Sequence, residues 1–216
     1  MKRRTLDILV STGGVLLAGL LLIAGLVLTS NANFANDYVA TQLSEQNIAF
    51  KPLAALTPEE KQQTCLVEYA GQKLTTGKQA ECYANNFIGL HLKGIADGKT
   101  YADLGEPQSA LREQVAAAEK TNDPKLAGLQ AQLAEITGKR DSLFKGETLR
   151  GLLLTTYGFS EFGRKAGQAA LVAYLAAALM VLLSIAGFSH AYRTPRNEAF
   201  ASPEQTDSGK RELSNV

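Results

Sequence analysis

The sequence predicts a mainly α-helical membrane protein, in which two transmembrane helices flank an extracytoplasmic helical domain that contains one disulfide. Two observations support this fold class. The chain has 216 residues and a net charge of +1, yet residues 8–36 and 166–192 contain no Lys, Arg, Asp or Glu. The chain also has two cysteines, and both lie between those uncharged stretches.

Both uncharged stretches are long enough to cross a bilayer. A hydrocarbon core about 30 Å thick requires about 20 apolar residues of helix, and residues 8–30 and 166–191 meet this requirement without a proline. A buried helix of a soluble protein is the alternative, but such a helix is rarely apolar on every face over this length. The first stretch also has the basic start of a signal peptide. Because its apolar run exceeds the usual core of roughly 7–15 residues, we expect a retained anchor.

The basic residues next to the two stretches predict the orientation. The cluster at residues 2–4 directly precedes the first stretch, and the positive-inside rule places it in the cytoplasm. Two crossings return the C-terminus to the same side, where Arg193 and Arg196 follow the second stretch. Arg164 and Lys165 argue for the opposite orientation, but long translocated segments largely ignore the charge rule.

The predicted organisation has five parts. They are a cytoplasmic N-terminus (1–7), transmembrane helix 1 (8–30), an extracytoplasmic helical domain (31–165), transmembrane helix 2 (166–191) and a cytoplasmic flexible tail (192–216). Acidic and basic residues nearly cancel in the central segment, so nothing in it indicates nucleic-acid binding.

Cys65 and Cys82 are predicted to form a disulfide. A lone pair of cysteines in an oxidising compartment usually pairs. A redox motif would need two residues between the cysteines, and a structural zinc site would need four ligands. His91 is the one histidine close to them in the sequence.

Capping and turn signals divide the central segment into helices. Thr57-Pro58-Glu59-Glu60 predicts a helix start, and that helix is expected to reach about Tyr69. A second helix is predicted over residues 78–95, with His91 on its apolar face. Helices over 109–119 and 123–136 are predicted to form a charged hairpin. A further helix is predicted to start near Phe144 and to continue into the second stretch.

Small residues in the two apolar stretches are candidates for helix–helix contacts, because they allow backbones to approach closely within a bilayer. The candidates are Gly14, Ala18, Ala166, Ala170, Ala173 and Ala177. The alternative is that glycine and alanine are simply common in such helices.

The sequence contains no recognisable catalytic constellation. It has no nucleophile motif and no glycine-rich phosphate loop. Its two histidines, His91 and His190, poorly serve haem or copper ligation. We therefore expect no catalytic residues, no metal ligands and no cofactor.

Three segments together resemble a known family: KRRTLDILVSTGG at the start, EYAGQKLTTGKQAECYANNFIGLHLKGIADGKTYADL in the central segment, and SLFKGETLRGLLLTTYGF before the second stretch. They resemble small two-span actinobacterial membrane proteins, among them the prokaryotic respiratory supercomplex association factor. Some relatives are described as ring-opening dioxygenases, but the sequence offers no iron triad of two histidines and a carboxylate. The charged segment around residues 117–134 is not part of the resemblance.

The resemblance implies a non-catalytic accessory subunit in a bacterial plasma membrane. Such a subunit would assemble or stabilise a supercomplex of cytochrome bcc and cytochrome aa3 oxidase, which carries electrons from menaquinol to oxygen. Its partners would be other membrane subunits and lipids. The alternative is an extracytoplasmic ligand-binding or sensor module that two membrane helices anchor, and an enzyme is a third hypothesis.

Overall fold

The structure, a computed structural model, describes residues 2–195 and is mainly helical. In chain order its α-helices are α1 (Arg3–Glu45), α2 (Pro58–Lys61), α3 (Thr64–Glu68), α4 (Gly77–Cys82), α5 (Gly89–Ile95), α6 (Gly105–Thr121) and α7 (Leu126–Arg193). The mainly α class is therefore confirmed, with two long apolar helices. Most of the predicted tail, residues 196–216, lies outside the described residues.

The chain divides into two compact units. The apolar unit comprises the described residues up to Ala32 and from Lys165 onward, and the polar unit comprises Asn33–Arg164. Helices α1 and α7 each contribute residues to both units. The helix of the first apolar stretch continues well beyond it, to Glu45.

An extended segment follows α1 in the polar unit. Ala49 and Lys73 form an antiparallel bridge, and the backbone N–H of Phe50 donates to the carbonyl of Gln72 at 2.9 Å. The N–H of Leu74 donates to the carbonyl of Ile48, also at 2.9 Å. These bonds satisfy backbone groups that would otherwise be buried without partners, because Phe50 and Leu74 belong to the core.

The predicted helix start at Thr57 is confirmed, but the predicted continuous helix to Tyr69 is wrong. The Thr57 hydroxyl accepts from the Glu60 N–H, and the Glu60 carboxylate accepts from the Thr57 N–H, so the pair forms a capping box. The helix is interrupted at Gln63, which has an extended backbone with ψ 100°. The Gln63 side chain accepts a 2.7 Å hydrogen bond from Asn86, a tertiary contact that no local pattern encodes.

Helices α4 and α5 are joined by a π-helical segment, Tyr83–Ile88, which the sequence pattern did not predict. Four apolar residues at helical spacing in this region are buried: Ala80, Ala84, Ile88 and Leu92. His91, which the sequence analysis placed on this face, does contact Phe87, but its side chain is not buried and is 49% exposed. Each i→i+5 turn holds an additional residue and so rotates the residues that follow it relative to a regular α-helix.

The predicted charged hairpin is present, but its second arm is longer than predicted. Helix α6 ends at Thr121 and is capped by Asn122, which has the left-handed φ of 50°, and Asp123 accepts a 2.8 Å hydrogen bond from the Lys125 N–H. Helix α7 then runs without interruption through residues 137–143, where the sequence analysis placed a break between two helices. Gln108 of α6 donates to the Thr137 hydroxyl at 2.8 Å, which holds the two arms together in that region.

The hydrophobic core of the polar unit is built from α1, α3, α4, the π-helical segment, α5 and α7, together with residues of the connecting segments. Leu66 and Leu74 are its most deeply buried large side chains. From α7 it receives Leu143 and Leu153, and from α1 it receives Val39 and Leu43. The core therefore joins segments that are more than 100 residues apart in the sequence.

Cys65 of α3 and Cys82 of α4 form a disulfide, as the sequence predicted, with their Cα atoms 6.0 Å apart. The bond closes a loop with a sequence separation of 17. Constraining a loop of this size in the unfolded chain stabilises the folded state by about 3 kcal/mol.

Replacing both cysteines by alanine is expected to lower the free energy of unfolding of the polar unit by about 3 kcal/mol. Hydrogen exchange of the full chain in a mild detergent measures this, because protection should fall throughout α3 and α4. Wild-type protein treated with a reductant serves as the control and should show the same loss. Unchanged protection in both samples would contradict the prediction.

Candidate functional site: the packed face of the apolar helices

Within the apolar unit, α1 and α7 pack against each other in antiparallel directions. Ser11 contacts Gly187, and Gly14 contacts Ser184 one turn further along α1. A methyl group built on either glycine would overlap the serine hydroxyl opposite. The two backbones therefore approach more closely than any residue larger than glycine would allow at these positions. Small residues permit this kind of close packing between helices in a bilayer.

Most of the predicted contact residues lie in this packed face. Those that are buried are Gly14, Ala18, Ala170, Ala173 and Ala177, and Ala166 is half-buried. Ala18 is only 2% exposed and Ala177 only 1% exposed, so both side chains are covered by the opposite helix. Residues of both predicted small-residue sets therefore pack inside the helix pair.

Tyr174 fills a notch at Gly25, and sequence reasoning missed this contact. A methyl group on Gly25 would lie within 2.9 Å of three atoms of the Tyr174 ring. The Tyr174 hydroxyl lies 3.0 Å from the hydroxyl of Thr29, which in turn donates to the Gly25 carbonyl at 2.8 Å. A tyrosine in an apolar stretch needs a partner for its hydroxyl, and that requirement was the available signal.

Asp7 and His190 meet at one end of the helix pair. The His190 Nδ1 lies 3.0 Å from Asp7 Oδ2, and the Thr194 hydroxyl donates to the His190 carbonyl at 2.9 Å. The sequence analysis attached no contact to His190, because residues 183 positions apart in the chain reveal their proximity only once the register of the two helices is known.

The large apolar side chains of the pair point away from the packed face. Leu16 is 67% exposed and Leu175 is 63% exposed. Both helices are long and apolar enough to cross a membrane. This arrangement, with small residues inside and leucines outside, indicates an integral membrane protein, since exposed apolar surface of this extent is rare in soluble proteins.

In the polar unit, the buried carboxylate of Glu60 connects three elements. Its side chain is fully buried. Lys51 from the extended segment donates to Oε1 at 2.8 Å, and His91 Nε2 of α5 lies 3.4 Å from the same atom. Burial alone would raise the pKa of Glu60, but the Lys51 hydrogen bond, the Thr57 N–H and the nearby positive charge hold that pKa below its ordinary value of 4.5.

His91 lies on the surface of this cluster. Its ring stacks on Phe87 with centroids 4.5 Å apart, and its Nδ1 lies 2.7 Å from the Phe87 carbonyl. Lys51 also lies over the Phe87 ring, with its Nζ 5.1 Å from the ring centroid. The histidine therefore has partners at both ring nitrogens and supports packing.

Three aromatic rings of the polar unit form an exposed cluster. Phe159 contacts Phe34 and Tyr38 with centroid distances of 6.4 and 5.8 Å, and Phe34 stacks on Tyr38 at 5.9 Å. Phe34 is 62% exposed and Tyr38 is 51% exposed. Exposed, contacting aromatics of this kind commonly mark a surface for a protein partner or for interfacial lipid.

The part of the chain that the structure describes contains no group of three His, Cys, Asp or Glu side chains placed to hold a metal ion. Comparisons of the chain with protein-family models, with curated proteins and with solved structures found no match. The candidate site is therefore defined by the geometry of this protein alone. Its main features are the packed helix face and the exposed apolar surface around that face.

Gly25→Ala is expected to destabilise the helix pair by about 1–3 kcal/mol, because the added methyl group would overlap the Tyr174 ring in a packed interface. Thermal unfolding of the full chain in mild detergent measures the effect. Gly19→Ala is the matched control, since nothing lies within 4 Å of a methyl group at that position. Equal effects of the two substitutions would show that the notch at Gly25 has no role in packing.

Glu60→Gln is expected to destabilise the polar unit by about 1–2 kcal/mol at neutral pH, because it removes a charged acceptor while glutamine still permits a capping box. The pKa of Glu60 is lowered in the folded state, so its stabilising effect is present above pH 4.5 and is lost as the pH falls through the lowered value.

Chemical unfolding of both proteins between about pH 3 and pH 7 measures this difference. The gap between wild type and variant should narrow at the acidic end. Glu59→Gln, at the exposed neighbouring position on α2, should change stability little at any pH. A gap that widened on acidification would have the wrong sign.

Proposed function

We propose that the protein is a non-catalytic accessory subunit that assembles or stabilises a membrane respiratory supercomplex of cytochrome bcc and cytochrome aa3 oxidase. In this proposal both termini lie in the cytoplasm of a bacterial cell and the polar unit lies outside the plasma membrane. The disulfide is consistent with that placement, because structural disulfides persist in oxidising compartments.

The observation that supports a binding role most directly is that small and large side chains lie on different faces of the apolar helices. Small residues such as Gly14 and Ala177 are used for contact within the pair, while large side chains such as Leu16 and Leu20 remain exposed. The pair is thus internally packed and still presents two apolar faces. Faces of this kind can pack against further membrane helices, where association depends on close van der Waals fit.

The polar unit supports the proposal in a second way. Its core, the disulfide and the Glu60 cluster hold short helices in one arrangement. The exposed aromatic cluster of Phe34, Tyr38 and Phe159 then offers rigid apolar area. Aromatic side chains of this kind are enriched at the centres of protein interfaces.

The identity of the partners comes from the resemblance of three sequence segments to the actinobacterial two-span family. Those segments include residues of the π-helical turn and of the start of the first apolar stretch. The resemblance implies cytochrome bcc and cytochrome aa3 components as partners, and electron transfer itself would remain the work of their cofactors.

Purification of the tagged protein in a mild detergent is expected to recover b-, c- and a-type haem, which absorption spectra and mass spectrometry of the co-purified subunits detect. The source is a membrane that contains the native respiratory chain. Recovery of the protein alone, under conditions in which the oxidase and the bcc complex stay associated, would overturn the proposal.

The two exposed faces can be tested separately with triple alanine variants. The substituted residues are Leu16, Leu20 and Ile23 on α1, and Leu175, Leu179 and Leu182 on α7. Alanine remains compatible with lipid, so loss of recovered haem from one variant would indicate a protein contact on that face. A weakening by about 1.4 kcal/mol would lower the association constant about tenfold, and each variant is the control for the other.

A further inference from the structure

A cavity of about 290 Å³ lies in the polar unit between α5, the loop at residues 98–101 and α7. This volume is close to the lower end of the range for small-molecule sites, roughly 300 Å³. The packed core described above does not fill the cavity, and the hydrogen-bond network around Glu60 does not involve its lining residues.

The charged side chains that line the cavity are mainly basic. Lys93, Lys99 and Arg150 line it, with Glu147 as the one acidic residue of the lining. Glu147 is already paired with Arg150, with Oε2 3.0 Å from Nη1. Among the described residues, no carboxylate lies within ion-pairing distance of Lys93 or Lys99. The lining therefore carries two positive charges that no ion pair offsets.

Asp103 lies close to this lining, and its pKa is lowered by the hydrogen bonds from Thr100 and, to a smaller extent, by the charge of Lys99. Its Oδ2 accepts from the Thr100 N–H and hydroxyl, each at 2.8 Å. Asp103 is thus committed to holding the loop that forms one wall of the cavity, and both lysines remain available.

Arg150 is held in place by contacts on both sides. Its Nη2 donates to Asn85 Oδ1 at 3.3 Å, and its Nη1 donates to Glu147. Its Nε is buried with no hydrogen-bond partner and lies against Gly89, where an added methyl group would be 3.6 Å away. A buried donor without an acceptor costs about 1–3 kcal/mol, and such groups are rare in native structures, where strain, a functional role, or a bound water or ion accounts for them.

Two further features are typical of a binding site. Asn85 belongs to the π-helical segment, and π turns occur frequently at functional sites. The cavity also has an apolar wall formed by Leu92 and Leu143, both buried. Tyr101 lies beside it, and its ring is covered by the Arg140 guanidinium at 4.0 Å.

We propose that this cavity binds a small organic anion with a phosphate or carboxylate group and a short apolar portion. Lys93 and Lys99 attract and contact the anionic group, the guanidinium of Arg150, held by Glu147 and Asn85, forms a fixed side of the cavity, and the leucine wall accepts the apolar portion. This site is independent of the proposed membrane role, because it lies wholly within the polar unit, and each of the two properties can hold without the other.

The test is calorimetric titration of the full chain, held in nanodiscs of zwitterionic lipid, with inorganic phosphate, glycerol 3-phosphate and succinate as separate probes. At least one probe is expected to bind saturably with a dissociation constant at or below about 1 mM. A preference for glycerol 3-phosphate over succinate identifies the phosphate class, and the reverse preference identifies the carboxylate class.

The double variant Lys93→Gln/Lys99→Gln is expected to weaken binding at least tenfold. Lys120→Gln/Lys145→Gln is the matched control, since it removes the same charge from exposed positions of the polar unit outside the cavity, and it should bind as the wild type does. Binding weaker than about 1 mM for all three probes would overturn the proposal. Equal weakening in both double variants would also overturn it, because the effect would then follow net charge and not the site.

Discussion

Two long apolar stretches can enter a bilayer only as continuous helices, because each backbone N–H and C=O must then form its hydrogen bond within the same segment. Helices α1 and α7 satisfy that condition over their apolar lengths. The apolar unit follows from it, since two regular helices present side chains at fixed positions and can then select a register by fit. Glycines 14 and 25 supply the space, and Ser184 and Tyr174 occupy it.

The polar unit is stabilised differently, because its helices between α1 and α6 are too short to persist alone. Helix α2 has 4 residues and α3 has 5. Their stability must come from tertiary contacts. The disulfide fixes α3 to α4, Glu60 fixes α2 to the extended segment, and Leu66 anchors α3 in the core, where Leu74 is also buried. Asn85 of the π-helical segment also holds Arg150 at the cavity through a hydrogen bond. The packing of the polar unit and the proposed anion site therefore share residues.

The two proposals assign different surfaces to different tasks. Exposed leucines of α1 and α7 suit contacts that depend on shape in an apolar medium, whereas Lys93 and Lys99 suit a charged ligand in water. An accessory subunit with a ligand site of its own would combine the leading interpretation of the sequence with its alternative, a ligand-binding module. The physical requirements of the two roles do not conflict, because they involve separate residues.

The sequence by itself determined the helical class, the two apolar helices, the helix start at Thr57 and the disulfide, because each depends on composition or on residues close in the chain. It also identified the packed residues Ala18, Ala170 and Ala177, since small side chains in an apolar stretch have few other uses. It did not reveal the interruption at Gln63, the π-helical segment or the exposure of His91. Only the tertiary structure decided these, together with the Gly25–Tyr174 notch and the basic cavity, because each arises where residues distant in sequence compete for the same space or hydrogen bond.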